Sequence, residues 1–192
     1  MIHYRQEKID NSICYIASEY KKKTRKPIAQ MYLYKILARI EFISIRDKGK
    51  PVFELTYQAM KKGPVPMELY SERKNLNTPL YKFEQKKELW GEVIYIYAKS
   101  KADLNYFSDY ELKLMNDSIF ILASNSVKTK HASEASHEEI QAWRKAFQKS
   151  PNSIMNYADE FTGDLSKKRE DELTLAEERF LLWEAMKAMQ DE

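Results

Sequence analysis

Residues able to do acid–base, nucleophilic or metal chemistry are sparse in this chain. It has three histidines, His3, His131 and His137, and one cysteine, Cys14. A zinc or nucleophilic centre needs such groups to converge with one another or with carboxylates. His131 and His137 stand six residues apart, which is not the one-turn spacing that puts two ligands on one helix face, and no cysteine lies near them. His137 falls within Ser136-His137-Glu138-Glu139, a helix-start pattern, where it reads as a turn or packing residue. Cys14 lies between Ile13 and Tyr15 in a helical stretch and reads as a buried, inert thiol, since reactive thiolates need an exposed, electropositive setting. No Gly-rich phosphate loop, Gly-x-Ser-x-Gly elbow or His-Glu-x-x-His pair occurs. The reading is a binding protein rather than an enzyme, with no catalytic residue, no metal ligand and no cofactor.

Two stretches carry binding chemistry instead. The run Lys21-Lys22-Lys23-Thr24-Arg25-Lys26, with Lys61 and Lys62, offers a basic surface. Helices followed by a small β-hairpin can form a winged helix-turn-helix, so a DNA-binding regulator using the basic body is the alternative function. Near the end, Phe180, Leu181, Leu182, Trp183, Met186 and Met189 spread over a wide arc of a short acidic helix. Trp, Phe and Met are common interface anchors, yet the same pattern suits a helix docked on its own chain. Both readings stay open here. The candidate partner contacts are Lys61, Lys62, Phe180, Trp183 and Met186.

The elements that must position these residues are mostly helices. Ile9, Ile13, Ile16 and Tyr20 recur at helical spacing and predict a first helix from about Arg5 to Lys22. Pro27 is placed to open a second helix, running to Ile45, that is apolar on more than one face and so central. The middle third reads as strands around Phe53 to Met60, Leu80 to Phe83 and Val93 to Tyr97, with a helix from about Val65 to Arg73. Gly63-Pro64-Val65-Pro66 reads locally as a turn between strand and helix. Capping boxes at Ser108 to Glu111 and Ser136 to Glu139, and a start at Thr174-Leu175-Ala176-Glu177, open three later helices. The expected fold is α+β and mainly α-helical: a compact helical domain with a small two- or three-stranded antiparallel sheet. Its division is residues 1–163 as the domain and 164–192 as a linker plus an amphipathic acidic helix.

Composition agrees. Of 192 residues, 43% are apolar, and only four are glycine and six proline, which favours helices over a turn-rich β fold. No stretch approaches the ~18 apolar residues of a membrane span, no secretory leader is visible, and one cysteine excludes an internal disulfide framework. A cytoplasmic protein without membrane contact is expected. The net charge of +3 is uneven: from Asp159 onward 11 acidic residues face 5 basic ones, net −6, which leaves +9 on the rest.

Several motifs together resemble a known family. Tyr34-Lys35-Ile36-Leu37 stands in the central helix, followed by Gly49-Lys50-Pro51, then Tyr57-x-Ala59 leading into Gly63-Pro64-Val65-Pro66 and Leu69-Tyr70. Downstream come Phe107-Ser108, Ser136-His137 and Trp143. In this order the chain, over about three quarters of its length, resembles the Panacea domain family, which contains SocA-like antitoxins. Lys62 stands where many members carry an aromatic residue. The resemblance implies an antitoxin encoded beside a toxin gene. Its partner would be the cognate protein toxin, neutralised by direct binding or by delivery to a ClpXP-type protease as an adaptor; related domains occur in phage-associated proteins. The residues after about Gly163 lie outside the resemblance and are expected to contribute to partner specificity. Deleting Asp164 to Glu192 is accordingly expected to abolish neutralisation while leaving a folded domain.

Overall fold

The computed structural model describes residues 4–124 and 140–189. His3, His131, Ser136 and His137, with the second capping box, lie outside the described residues. The elements run α1 (Arg5–Thr24), β1 (Ile28–Ala29), α2 (Gln30–Lys48), β2 (Tyr57–Met60), β3 (Gly63–Pro66), α3 (Met67–Glu72), β4 (Tyr81–Glu88), β5 (Gly91–Ala98), α4 (Asp109–Ala123), α5 (Gln141–Lys149) and α6 (Leu175–Ala188). Short 3-10 turns at Leu104–Tyr106, Tyr157–Glu160, Leu165–Lys167 and Glu170–Glu172 connect them. The fold is α+β and mainly helical, as the patterning implied, with antiparallel sheets of three strands (β1-β5-β4) and two (β2-β3).

The helix α2 is the centre. Leu33, Ile36, Leu37, Ala38, Ile40, Phe42 and Ile45 are all fully buried, so it is enclosed on every side by α1, α4, the β2-β3 hairpin and α6. The main core joins Ile9, Ile13 and Ile16 of α1 with all of these but Ile45, and with Phe83, Ile96, Met115 and Ile119. A second cluster gathers Ile45, Phe161, Leu165 and Phe180 where α6 crosses α2. Ser108 and Glu111 cap α4 reciprocally, and Thr174 with Glu177 does the same for α6.

Three local expectations change. Pro27 does not open the second helix: Ile28 and Ala29 pair with Ile96 and Tyr95 of β5, and the helix starts at Gln30. An extended pairing next to Ile28, fully buried, outweighs proline's preference for a first helical turn. Gly63-Pro64-Val65-Pro66 is not the turn but the strand β3 itself, in register with Tyr57–Met60, and the turn is Lys61-Lys62. Proline is tolerated there because it sits on a strand with only one strand neighbour. The stretch Asp164 to Leu173, expected to be a linker, winds through 3-10 turns that bury Leu165 and pair Lys168 with Glu177 at 2.6 Å. Burial raises the Glu177 carboxyl, but Lys168 and Thr174 outweigh it and hold it below its ordinary range.

Candidate partner-binding surface

A buried carboxylate organises one wall of the surface. Glu41 of α2 is fully enclosed and accepts the backbone N–H groups of Val52 at 2.7 Å, Phe53 at 2.8 Å and Leu55 at 3.1 Å. The carbonyls of the same loop are held from the other side: Arg5 donates from Nε to Phe53 O and from Nη2 to Glu54 O, both at 2.8 Å. Between these two anchors Glu54 is forced to φ 54°, the left-handed region that costs a non-glycine residue about 1 kcal/mol. Five hydrogen bonds offset that strain, the two from the Arg5 guanidinium charge-assisted. The Tyr157 hydroxyl lies 2.6 Å from Glu41 Oε1 and 2.7 Å from Leu55 O. The Tyr157 hydroxyl therefore ties the Glu41 carboxyl and the Leu55 carbonyl of the loop together. Burial pushes the Glu41 pKa up, against the pull of Tyr157 and the three amides.

The helix α6 closes the other wall. Phe180 is fully buried against Phe161, ring centroids 5.1 Å apart, and is the anchor of the helix. One turn later Trp183 lies half-buried, donating its indole N–H to Glu54 Oε1 at 3.1 Å and meeting Tyr157 edge-on at 5.9 Å, with Lys187 above its ring. Between the walls runs a groove of about 570 Å³ lined by Glu54, Ile154, Tyr157, Trp183, Glu184 and Lys187, among others. Beyond it Leu182, Met186 and Met189 are 60%, 54% and 77% exposed at i, i+4 and i+7, an apolar row along the free face of α6.

The family-motif residues serve this architecture from inside. Tyr57 and Ala59 point into the core, Gly63, Pro64 and Pro66 are buried, and Val65 is half-buried. The Tyr57 ring packs on Phe42 at 5.3 Å; its buried hydroxyl has no hydrogen-bond partner among the described residues. Tyr70 lies half-buried beneath the Arg73 guanidinium, 3.7 Å from its ring centroid. Trp143 donates to Met60 O at 3.1 Å and stacks on Phe147 at 4.9 Å, tying α5 to the β2-β3 hairpin. Asn152 to Met155 then covers the outer edge of β2 through Ala59 and Tyr57.

Of the candidate partner contacts, Lys61 and Lys62 are exposed on the hairpin turn and Met186 is exposed on α6. Phe180 is corrected from a contact to an anchor, because none of it reaches solvent. Sequence reasoning missed Leu89 and Trp90, which form the turn of the β4-β5 hairpin and are 100% and 76% exposed. Their signal was a bulky apolar pair where a hairpin normally turns through Asn, Asp or Gly. That hairpin carries Lys82, Lys86 and Lys87 against Glu84, Glu88 and Glu92, so it is neutral overall and lacks the basic stripe of a DNA-binding wing.

Among the described residues no group of His, Cys, Asp and Glu gathers to hold a metal ion, and no helix is long and apolar enough to cross a membrane. Cys14 is buried, donates to Ser100 O at 3.2 Å, and has its thiol pKa raised by burial.

The sequence model of the family described as antitoxin SocA-like, Panacea domain, matches residues 33–144. The chain belongs to this SocA-like antitoxin family. No curated protein and no solved structure matches it. The matched segment holds Glu41, its loop, the Gly-Pro-Val-Pro strand and the β4-β5 hairpin; α1 and α6 fall outside it. Within the match only Glu54, Leu55 and Thr56 line the groove, while Ile154 to Tyr157 and the α6 wall with Trp183 and Lys187 are added by residues beyond it. Membership makes a toxin the expected partner.

Proposed function

We propose that this protein neutralises a cognate protein toxin by binding it directly, without chemistry of its own, through the groove and apolar row of α6. The supporting observation is the exposure of Leu182, Met186 and Met189 beside the Trp183 groove on a helix whose opposite face is locked by Phe180. A helix needs only its buried face to fold, so the apolar free face is left for a partner. Glu54 and Trp183 are held before any partner arrives, which limits the ordering cost of binding. Capture of this kind is equally the first step of delivery to a ClpXP-type protease, and the fate of the toxin separates the two routes.

The test is co-expression with the neighbouring gene whose product stops growth. Leu182→Glu with Met186→Glu touches no core residue and is expected to abolish rescue while the purified variant keeps its melting temperature. Continued rescue by this double variant would remove the groove from the account. A toxin half-life that is unchanged in cells lacking the protease assigns neutralisation to binding alone; a lengthened one assigns it to delivery.

A further inference from the structure

The β4-β5 hairpin leaves the body as an arm. Its root is fixed: Phe83 and Ile96 are buried, β1 covers Tyr95 and Ile96 on one side, and Leu76 O accepts from Phe83 N at 2.8 Å on the other. From the Gln85–Ile94 pair to the Glu88–Gly91 pair no further strand flanks it among the described residues, a reach of about 10 Å. The outer face of the arm is stiffened by its own side chains. Lys82 and Lys86 lie over the Tyr97 ring at 5.3 Å and 5.2 Å, Glu84 pairs with Lys86 at 3.3 Å, and Tyr95 donates to Glu88 at 3.1 Å. The tip is thus carried on a braced support, and its two residues are Leu89 and Trp90.

Among the described residues neither is packed into the core. Leu89 is completely exposed and Trp90 nearly so. The positive φ next to the turn falls on Gly91, at +126°, and not on Leu89 or Trp90. A pair such as Asn-Gly would close the hairpin better. Charged or polar Gln85, Lys87 and Glu92 line the distal edges, the usual defence against strand addition, so the arm is not built to accept a further strand. Its charges cancel, which removes the attraction that a nucleic acid or an anionic bilayer would need. What remains is an uncharged aromatic–aliphatic tip on a rigid stalk, the form of an anchor for an apolar socket in a protein.

We propose that Leu89 and Trp90 insert into an apolar socket of the toxin, as a second contact separate from the α6 groove; this rests on the toxin-binding reading above. The two surfaces lie toward opposite ends of α2, which spans 19 residues, about 28 Å: β1, paired to the arm, precedes its first turn, and α6 packs on its last. A toxin held at both would span the body of the domain between the arm and α6.

The experiment measures affinity of the full chain for the growth-stopping neighbour-gene product, with Trp90→Ser, Trp90→Phe and the Leu182→Glu/Met186→Glu double variant. Trp90→Ser is expected to weaken binding about thirtyfold or more, the range of an anchoring Trp, with Trp90→Phe restoring most of it. Iodide quenching of the exposed tryptophan should disappear in the complex. Equal affinity for wild type and Trp90→Ser overturns this inference alone; no binding by wild type overturns the toxin reading and this one with it. Protection of Trp90 by self-association or by anionic vesicles, with toxin affinity unchanged in Trp90→Ser, assigns the tip to a second copy or a lipid surface and also overturns it. An unaltered melting temperature in Trp90→Ser excludes misfolding as the cause of any loss.

Discussion

Gly49→Ala tests how α6 is held. Gly49 ends α2 at φ +68°, donating to Ile45 O at 2.8 Å, and a Cβ built on it would stand 2.0 Å from Ala176 O, 2.8 Å from Phe180 N and 2.9 Å from Arg179 Cβ. The left-handed conformation alone costs alanine about 1 kcal/mol. The steric cost is larger, because two of the three opposing atoms are backbone of α6 and cannot turn aside. Relief requires α6 to move out by more than an ångström, which opens the cluster of Ile45, Phe161, Leu165 and Phe180. Its upper bound is the removal of a buried Phe, about 3–5 kcal/mol. The expected loss is therefore above about 1.5 and up to about 3–5 kcal/mol, a large part of the ~5–15 kcal/mol of a typical domain. Denaturant titration measures it, and Trp183 emission and proteolysis within residues 164–174 report whether α6 has lifted. Gly49→Asn separates the two causes, since asparagine tolerates the dihedral but carries the same Cβ. If Gly49→Ala costs under about 1.5 kcal/mol, or if Asn recovers most of the loss, the close approach does not hold α6 and the reasoning fails.

The same packing alters the expected effect of removing residues 164–192. Such a deletion strips Leu165 and Phe180 from a core shared with α2, so lost neutralisation would reflect lost folding as well as lost contact, and the point changes on Leu182 and Met186 are the cleaner probe. Glu41→Ala should cost about 3–5 kcal/mol by stranding the amides of Val52, Phe53 and Leu55, with the loop becoming the first region to exchange its amide hydrogens; normal protection there would refute the anchoring role. Lys35, 1% exposed, has its ammonium pushed down to about 8 by burial. Its folded pKa lies below its unfolded one, so between these values the unfolded chain holds a proton that the folded chain has released, and stability rises with pH. From pH 8 to 9 the gain is about 1 kcal/mol, read as a shift in urea midpoint. A flat or falling curve would mean that Lys35 stays charged in the fold.

How much of this was legible in the sequence depended on what each residue faces. The periodicity of Ile9, Ile13 and Ile16 and the all-round apolar pattern of α2 reveal helices because burial acts on each turn separately. Reciprocal caps such as Ser108 with Glu111 are equally local. Pro27 misled because β1 exists only by pairing with Ile96, 68 positions away from Ile28, and no local pattern carries that. Glu41 was invisible for the same reason: one charged residue in a helix reads as a solvated face until the loop amides that surround it are placed. Phe180 and Trp183 looked alike in sequence, three residues apart on one helix, yet the first is enclosed and the second lines the groove.

The placement of the Panacea motif residues limits what mutational data on them can mean. Tyr57, Ala59, Gly63, Pro64, Pro66 and Trp143 are buried, so substitutions there act on neutralisation through stability, by shifting the hairpin that supports the Glu41 loop. Changes at Leu182, Met186, Leu89 and Trp90 remove apolar atoms from solvent-exposed positions and should leave stability within about 0.5 kcal/mol. A panel plotted as rescue against melting temperature should then split in two. Motif variants would fall on a line in which rescue declines with stability, and surface variants would lie below it at wild-type stability. Motif variants that lost rescue without losing stability would place the toxin on the Gly-Pro-Val-Pro hairpin, where only Lys61 and Lys62 are fully open to it, and would move the interface away from α6.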